Sequence, residues 1–204
     1  MGKKKTEKAK WKKSDLLGVT NAITTEKVVK VVDNAIRVIP DFPKEGATFS
    51  DVTTVWNDAD AFRYSVSGLQ MFLYEHEIDK IAAIEARGFV YGAALADRLN
   101  RPFVPIRRKG KLPGKVVQES YDLEYGKDTL EVHDDAIKEG DKVVLVDDLI
   151  VTGSSTAAAA RLVKQLGGEV VMILALIDLD RFNGKASLRK KGYTVNTILT
   201  YPGK

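Results

Sequence analysis

The stretch from residue 142 to residue 156 constrains the fold more than any other, because its character changes sharply over a short distance. Four apolar residues, Val143 to Val146, include three valines and predict a short buried strand. Two adjacent acids, Asp147 and Asp148, come next, and a turn of small residues follows them. The alanine-rich segment after this turn predicts a helix, because alanine is the best helix former. The stretch therefore reads as strand, acidic pair, hydroxyl-lined turn and helix.

The turn predicts a phosphate site. A turn that leads into a helix N-terminus directs free backbone N–H groups and the positive end of the helix dipole at one point. Gly153 lets the backbone approach a ligand closely, and the hydroxyl groups around it supply further donors. The predicted phosphate-binding residues are Val151, Thr152, Gly153, Ser154, Ser155 and Thr156.

Asp147 and Asp148 indicate that the phosphate belongs to a sugar. They follow the predicted strand, and ligands of open α/β sheets bind at the carboxyl ends of strands. Two carboxylates beside a phosphate can accept hydrogen bonds from sugar hydroxyls or hold a hydrated Mg²⁺ ion. A nucleoside triphosphate is not expected, since the chain has neither a GxxxxGK[ST] loop nor a GxGxxG motif after a strand. The alternative is a solvated acidic turn followed by a simple helix cap, but the order of these features together favours a site.

This stretch resembles the phosphoribosyl-pyrophosphate motif of type I phosphoribosyltransferases, and the wider chain is similar to the adenine branch of that family. The resemblance extends from about residue 28 to residue 203. Four further stretches carry it in the same order, namely residues 40–46, 85–89, 107–113 and 119–126. The fold that it implies is α/β, a mostly parallel twisted sheet flanked by helices, with a flap hairpin and an N-terminal hood.

The resemblance implies a reaction in which a purine nitrogen displaces pyrophosphate from phosphoribosyl pyrophosphate. With adenine as the base, the products are AMP and pyrophosphate. The turn at residues 151–156 would hold the 5′-phosphate, and Asp147 and Asp148 would hold the ribose hydroxyls. Mg²⁺ is the implied cofactor, bound by these two acids indirectly through ribose or water. Two alternatives stay open: another purine base (hypoxanthine, guanine or xanthine), and a non-catalytic regulator that senses phosphoribosyl pyrophosphate.

Two groups of residues are predicted to bind pyrophosphate. The first lies between a predicted strand at residues 81–84 and a predicted helix, where an arginine near a helix N-terminus favours an anion. The second directly follows a predicted strand at residues 102–106 and is rich in cations, which would offset the pyrophosphate charge. Both could instead be solvated surface loops. The residues are Glu85, Ala86, Arg87, Arg107, Arg108 and Lys111, and Arg87 is also assigned a catalytic role.

Alternating apolar and polar residues between 108 and 135 predict an antiparallel hairpin, which would act as the flap. A hairpin over the site would exclude water during the reaction. Glu119 is the candidate for proton handling at the base, and Tyr121 is the candidate for packing on the sugar phosphate or closing the lid. The alternative is that both are ordinary exposed strand residues.

The predicted hood spans residues 24–51 and begins with a helix whose apolar positions run from Val28 to Ile39. Thr48 and Phe49 are the predicted base-binding residues, with the Phe49 ring stacked on the purine. Phe49 could alternatively be a core side chain. The family often has an arginine where Ser50 stands and a small aliphatic residue at position 48, which leaves the identity of the base open.

Ser154 is a further departure from the family, which usually has glycine at this position. If the backbone requires a positive φ there, the added Cβ costs about 1 kcal/mol. A modest loss of phosphate affinity is the expected consequence.

Composition sets the remaining expectations. Residues 1–23 form a basic tail, expected to be disordered at its start, and residues 24–204 form one domain with its core at 59–204. Nucleic-acid binding is not inferred from this tail. The absence of cysteine, of a long apolar run and of a signal peptide predicts a cytoplasmic protein without a membrane span. A homodimer is expected from the resemblance alone.

Overall fold

The computed structural model describes residues 24–42, 44–123 and 126–202, so the predicted basic tail lies outside the described residues. The strands are β1 Arg37–Pro40, β2 Thr48–Asp51, β3 Lys80–Ile84, β4 Phe103–Arg108, β5 Val116–Asp122, β6 Lys127–His133, β7 Lys142–Ile150, β8 Glu169–Leu179 and β9 Val195–Tyr201. The helices are α1 Thr25–Ala35, α2 Thr53–Trp56, α3 Ala59–Met71, α4 Gly88–Arg98, α5 Ser154–Gln165 and α6 Gly184–Lys190, with a short 3-10 helix at Asp180–Phe182.

Seven of these strands form one twisted sheet in the order β5-β6-β4-β3-β7-β8-β9. Strands β3, β4, β7, β8 and β9 pair in parallel, while β5 and β6 pair antiparallel as a hairpin at one edge. The predicted α/β architecture, with its mostly parallel sheet and its hairpin, is confirmed. Strand β7 lies in the middle, between β3 and β8, so its carboxyl end opens at the centre of the sheet.

Helices cover both faces of the sheet and create two apolar cores. One core joins α1, α3 and α4 to the sheet and contains fully buried side chains such as Leu69 and Leu95. The other joins α5 and α6 to the opposite face, where the alanines of α5 pack closely on the strands. Because both faces are covered, the central strands are apolar on both sides, which explains the continuous apolar runs in β7 and β8. No helix in the described part of the chain is both long and apolar enough to span a bilayer.

The first predicted helix is shorter than its apolar spacing indicates. Helix α1 ends at Ala35, Ile36 is already extended with ψ 126°, and Ile39 belongs to β1. Strand β1 pairs antiparallel with β2, so hydrogen bonding to a distant segment overrides the local helical pattern. Helix α6 was not predicted, because its short sequence is mostly polar.

Asp51 anchors the β1–β2 ribbon to the rest of the fold. Its buried carboxylate accepts hydrogen bonds from Thr53 N at 2.9 Å, Thr53 Oγ1 at 2.7 Å and Arg37 Nε at 3.1 Å. The hydrogen bonds from Thr53 and Arg37 lower the pKa of Asp51 from 3.8 to about 2. The ionised form therefore stabilises the ribbon.

We expect Asp51→Asn to lower the free energy of unfolding at pH 7 by about 1–2 kcal/mol. A carboxyl group whose pKa is lowered by folding stabilises above its unfolded pKa and loses that effect as the pH falls through the folded value. The difference between wild type and variant should therefore shrink as the pH falls from about 4 toward 2. Asp60→Asn is the matched control, since Asp60 is exposed and forms an ion pair with the exposed Arg63. A pH-independent difference in chemical denaturation would contradict this assignment.

Candidate active site

Asp147 and Asp148 lie inside the last part of β7, where its neighbour β3 has already ended. The pairing of β3 with β7 ends at Val146, whereas β7 continues to pair with β8 as far as Ile150. Both acids are nearly buried, with 8% and 4% of their surface exposed. The N-terminus of α4 fills the gap left by β3, and a Cβ added at Gly88 would lie 3.2 Å from Asp147 Oδ1. The acids were predicted to follow the strand, and the longer β7 corrects that boundary.

The two carboxylates are electrostatically strained. Burial, followed by the charge of Asp148, raises the pKa of Asp147. Burial also raises the pKa of Asp148, although Arg87 opposes this effect. Arg87 Nε lies 2.8 Å from Asp148 Oδ2, yet within the described residues that buried oxygen accepts no hydrogen bond. The pair therefore offers acceptors that a ligand with hydroxyl donors would satisfy.

Arg87 connects the acidic pair to the predicted hood. Its guanidinium carbon lies 5.8 Å from the centre of the Phe49 ring, within cation–π distance. The Phe49 ring in turn packs edge-on against Phe42, with 5.2 Å between the ring centres. The half-buried Phe49 thus lies beside the site, while its neighbour Thr48 is exposed on β2.

The predicted phosphate turn is a tight loop that leads into α5. Gly153 has φ +76°, a left-handed conformation that favours glycine, and its carbonyl accepts the hydrogen bond from Ala157 N at 2.8 Å. The N–H groups that precede this bond are directed out of the helix terminus. The Thr152 hydroxyl donates to Ser154 Oγ at 3.1 Å, which orders the hydroxyls of the loop. Thr156 is buried beneath the loop.

The strain expected at Ser154 is not present. Ser154 is the first residue of α5, and the positive φ falls on Gly153 instead. A Cβ at position 154 is therefore compatible with the backbone, and the expected loss of phosphate affinity has no structural basis.

A cavity of about 540 Å³ opens above this loop. Tyr121 lines it, and its hydroxyl donates to Asp128 Oδ2 at 3.1 Å. Burial and the neighbouring Asp128 raise the pKa of Tyr121 to about 12, so the phenol stays neutral. The remaining lining residues are Asp122, Leu123, Phe182 and the loop itself, Val151 to Thr156.

Phe182 and Gly184 are site residues that the sequence patterns did not reveal. Phe182 lines the cavity from the 3-10 helix after β8, and its only sequence signal is an aromatic residue in a polar segment. Gly184 begins α6, and a Cβ there would overlap the carbonyl oxygen of Val151. A Cβ at Gly153 would lie 3.0 Å from the Gly184 carbonyl oxygen. Helix α6 therefore supports the loop at residues 151–156 through direct backbone contact.

Predicted pyrophosphate residues at the ends of β3 and β4 meet at Glu85. Strand β4 continues through Arg107 and Arg108, so these two residues do not follow the strand as predicted. Its carboxylate accepts from Arg107 Nε at 2.7 Å and from the backbone N–H of Arg108 at 2.9 Å. The Glu85 carboxylate thus holds the Arg107 guanidinium in place. The peptide bond from Glu85 to Ala86 is cis. Arg108 is largely exposed and lies 3.6 Å from Asp128 of the hairpin.

Glu119 is engaged with helix α5 in this structure. Its carboxylate accepts from Arg161 Nε at 2.6 Å and from Gln165 Nε2 at 2.7 Å. A role in proton handling would require the hairpin to release both partners first, and this role stays a prediction.

Comparison with known proteins identifies the family. The sequence profile of the phosphoribosyl transferase domain matches residues 61–200. Adenine phosphoribosyltransferase of Roseobacter denitrificans is 46% identical over 175 residues, which cover 86% of this chain and 99% of that protein. Adenine phosphoribosyltransferase of Brucella anthropi is 49% identical over 170 residues, which cover 83% of this chain and 94% of that protein.

The chain belongs to the adenine phosphoribosyltransferase family.

Solved structures of this family have the same fold. The Thermoanaerobacter pseudethanolicus enzyme superposes with a TM-score of 0.81 at 46% identity, covering 85% of this chain and 99% of that one. The Saccharomyces cerevisiae enzyme, solved with adenine and an imino-altritol bisphosphate, also gives 0.81, at 35% identity and 85% and 99% coverage. The phosphoribosyltransferase fold is therefore shown for this chain.

The two carboxylates of the site fit a metal ion that binds together with a phosphorylated ligand. Among residues 24–42, 44–123 and 126–202, no cluster of three or more acidic, histidine or cysteine side chains could hold a metal. Asp147 and Asp148 supply only two carboxylates, and Mg²⁺ typically combines one or two carboxylates with substrate phosphates and water. The two carboxylates therefore fit an Mg²⁺ ion whose other ligands are phosphate oxygens and water.

We expect Gly153→Ala to weaken the binding of ribose 5-phosphate by at least about tenfold. The new Cβ would be strained at positive φ and would press on Gly184, which displaces the loop that meets the phosphate. Gly192→Ala is the matched control, because Gly192 has φ +89° but open space around it. Titration calorimetry checks the result, and equal losses in both variants would exclude a specific role for Gly153.

Proposed function

We propose that this chain transfers the phosphoribosyl group of phosphoribosyl pyrophosphate to adenine, forming AMP and pyrophosphate. The observation that carries the proposal is the position of Arg87, which contacts Asp148 on one side and Phe49 on the other. Through Arg87, a site suited to a phosphorylated sugar adjoins an aromatic ring suited to a base. The identity with relatives named adenine phosphoribosyltransferase supports adenine as that base.

The phosphoribosyl part of the substrate is assigned to β7 and the loop after it. The loop from Val151 to Thr156 would bind the 5′-phosphate through N–H and hydroxyl donors. Asp147 and Asp148 would accept hydrogen bonds from the ribose hydroxyls, which relieves the strain of two buried like charges. This placement would fix the anomeric carbon relative to the base and supply part of the rate enhancement.

The departing pyrophosphate is assigned to the cations at the ends of β3 and β4. Arg87 lies between β3 and α4, Arg107 lies in the last part of β4, and Lys111 follows in the turn after β4. Their charges would stabilise the negative charge that develops as pyrophosphate leaves. Asp147 and Asp148 would hold Mg²⁺ indirectly, through ribose or water, and the ion would supply further positive charge to the pyrophosphate. The proposed roles of Glu85 and Ala86 are to shape this loop and, in the case of Glu85, to hold Arg107.

The β5–β6 hairpin is proposed to cover the site during the reaction. Tyr121 and Leu123 already line the cavity over the phosphate loop, and Leu123 is half exposed near the hairpin tip. A closed hairpin would exclude water from an electron-poor sugar carbon. Glu119 would handle the base proton only after leaving Arg161.

We further propose that the protein is a cytoplasmic homodimer. The absence of cysteine is consistent with a reducing compartment. Val38 and Phe42 of the predicted hood are 60% and 50% exposed, and a second subunit would cover these apolar side chains.

Nucleotide formation with phosphoribosyl pyrophosphate, Mg²⁺ and each of adenine, hypoxanthine, guanine and xanthine tests the proposal. We expect AMP from adenine and at least about 100-fold lower kcat/KM with the other bases. Chromatography separates the products. Preference for another base would overturn the assignment of adenine, and no product from any base would overturn the activity.

Phe49→Leu should raise KM for adenine about tenfold, because stacking of a base on an aromatic ring is worth about 1–3 kcal/mol. KM for phosphoribosyl pyrophosphate should stay within about twofold of wild type. Phe103→Leu is the matched control, since Phe103 packs edge-on against Phe89 of α4 instead of Arg87. An unchanged KM for adenine in Phe49→Leu would remove Phe49 from the base site.

A further inference from the structure

Glu131 is a buried carboxylate on β6 that the mechanism above does not use. It is 1% exposed, and it lies opposite Gln118 of β5 and opposite Arg107 of β4. A carboxylate in the middle of a hairpin is costly to bury unless donors satisfy it. Its partners therefore indicate what it does.

Both oxygens of Glu131 are satisfied, and two of its donors come from one turn. Oε1 accepts from Lys111 N at 2.8 Å and from Leu112 N at 2.8 Å, and Oε2 accepts from Gln118 Nε2 at 3.1 Å. Burial acts to raise the pKa of Glu131, but the N–H groups of Leu112, Gly110 and Lys111 outweigh it, so the pKa is lowered. The side chain is thus an ionised acceptor that organises the backbone of the turn.

The same turn is closed from its other side by Arg107. Arg107 Nη1 donates to the carbonyl oxygen of Lys111 at 2.9 Å, while Arg107 Nε donates to Glu85. Gly110 has φ +80°, so the turn adopts a shape that few other residues tolerate. Glu131, the turn and Arg107 therefore form one hydrogen-bonded chain that ends at Glu85.

This chain matters because the turn is crowded with like charge. Arg107, Arg108, Lys109 and Lys111 lie within five residues, and their mutual repulsion opposes any compact arrangement. A buried anion beneath the backbone offsets that repulsion without occupying the cationic side chains. The side chains of Arg108, Lys109 and Lys111 stay exposed for a ligand.

We propose that Glu131 is a positioning residue that holds the turn after β4 in the shape that presents Arg107 and Lys111 to pyrophosphate. The proposal rests on the proposed function, because it assumes that these cations meet the leaving group. Glu131 itself touches no substrate. It acts by holding the cationic donors in place before pyrophosphate binds. Binding then does not have to order a turn whose positive charges repel one another.

Two substitutions separate hydrogen bonding from simple filling of space. Glu131→Met keeps the length of the side chain but removes both acceptors, whereas Glu131→Gln keeps an oxygen that can accept from Lys111 and Leu112. We expect Glu131→Met to weaken pyrophosphate binding in Mg²⁺ buffer by at least about tenfold and to raise KM for phosphoribosyl pyrophosphate similarly. Glu131→Gln should stay within about threefold of wild type.

AMP binding distinguishes a positioning role from a merely structural one, because general damage to the fold would also weaken AMP binding. AMP carries the 5′-phosphate but no pyrophosphate, so its dissociation constant should change by less than about twofold in both variants. Parallel losses for AMP and pyrophosphate, or no loss for either in Glu131→Met, would overturn the proposal. If the wild-type enzyme is active and Glu131→Met has the same pyrophosphate affinity and KM, only this inference is refuted. If the wild-type enzyme forms no nucleotide, the proposed function is refuted.

A second variant perturbs the turn without touching its buried anchor. Gly110→Ala introduces a Cβ at positive φ in open space, so its effect is conformational strain alone. Gly140→Ala introduces the same strain at φ +78°, also in open space, in the turn before β7 at the opposite end of the sheet. The proposal expects loss of pyrophosphate affinity in Gly110→Ala only. Equal behaviour of the two glycine variants would count against it even if Glu131→Met does not fold.

Discussion

The burial of two like charges at the end of β7 is the constraint on which the rest of the site depends. Asp147 and Asp148 are removed from water, burial raises the pKa of both, and Arg87 is the cation that opposes this. Burial of such a pair is unfavourable unless hydrogen-bond donors satisfy the two carboxyl groups. The fold supplies the framework that tolerates this strain, because β7 is anchored by strands on both sides and by helices on both faces.

Two other buried carboxylates, Asp51 and Glu131, behave in the opposite way. Asp51 and Glu131 accept several hydrogen bonds each, and these bonds lower their pKa values. Satisfied acids of this kind hold segments in place: Asp51 holds the β1–β2 ribbon, and Glu131 holds the turn after β4. For Asp51 and Glu131 the hydrogen bonds outweigh burial, whereas for Asp147 and Asp148 burial prevails.

Backbone contact at glycines brings distant parts of the chain together around the site. Gly88 allows the start of α4 to approach Asp147, and Gly184 allows the start of α6 to approach Val151. Side chains at these positions would separate the strand ends from the helices. The loop at residues 151–156 is therefore shaped as much by α6, about thirty residues later in the chain, as by its own sequence.

The sequence by itself determined the central unit of the molecule. A valine-rich strand, an acidic pair, a glycine turn and an alanine-rich helix are local features, and their order predicted the site at Asp147, Asp148 and residues 151–156 without reference to the rest of the chain. Tertiary structure decided what local patterns cannot encode. Helix α1 ends at Ala35 because β1 pairs with β2. The positive φ that was considered for Ser154 occurs at Gly153. Tertiary structure also placed Phe182 over the phosphate loop and tied Glu119 to Arg161, because both contacts join segments that only the folded sheet brings into reach.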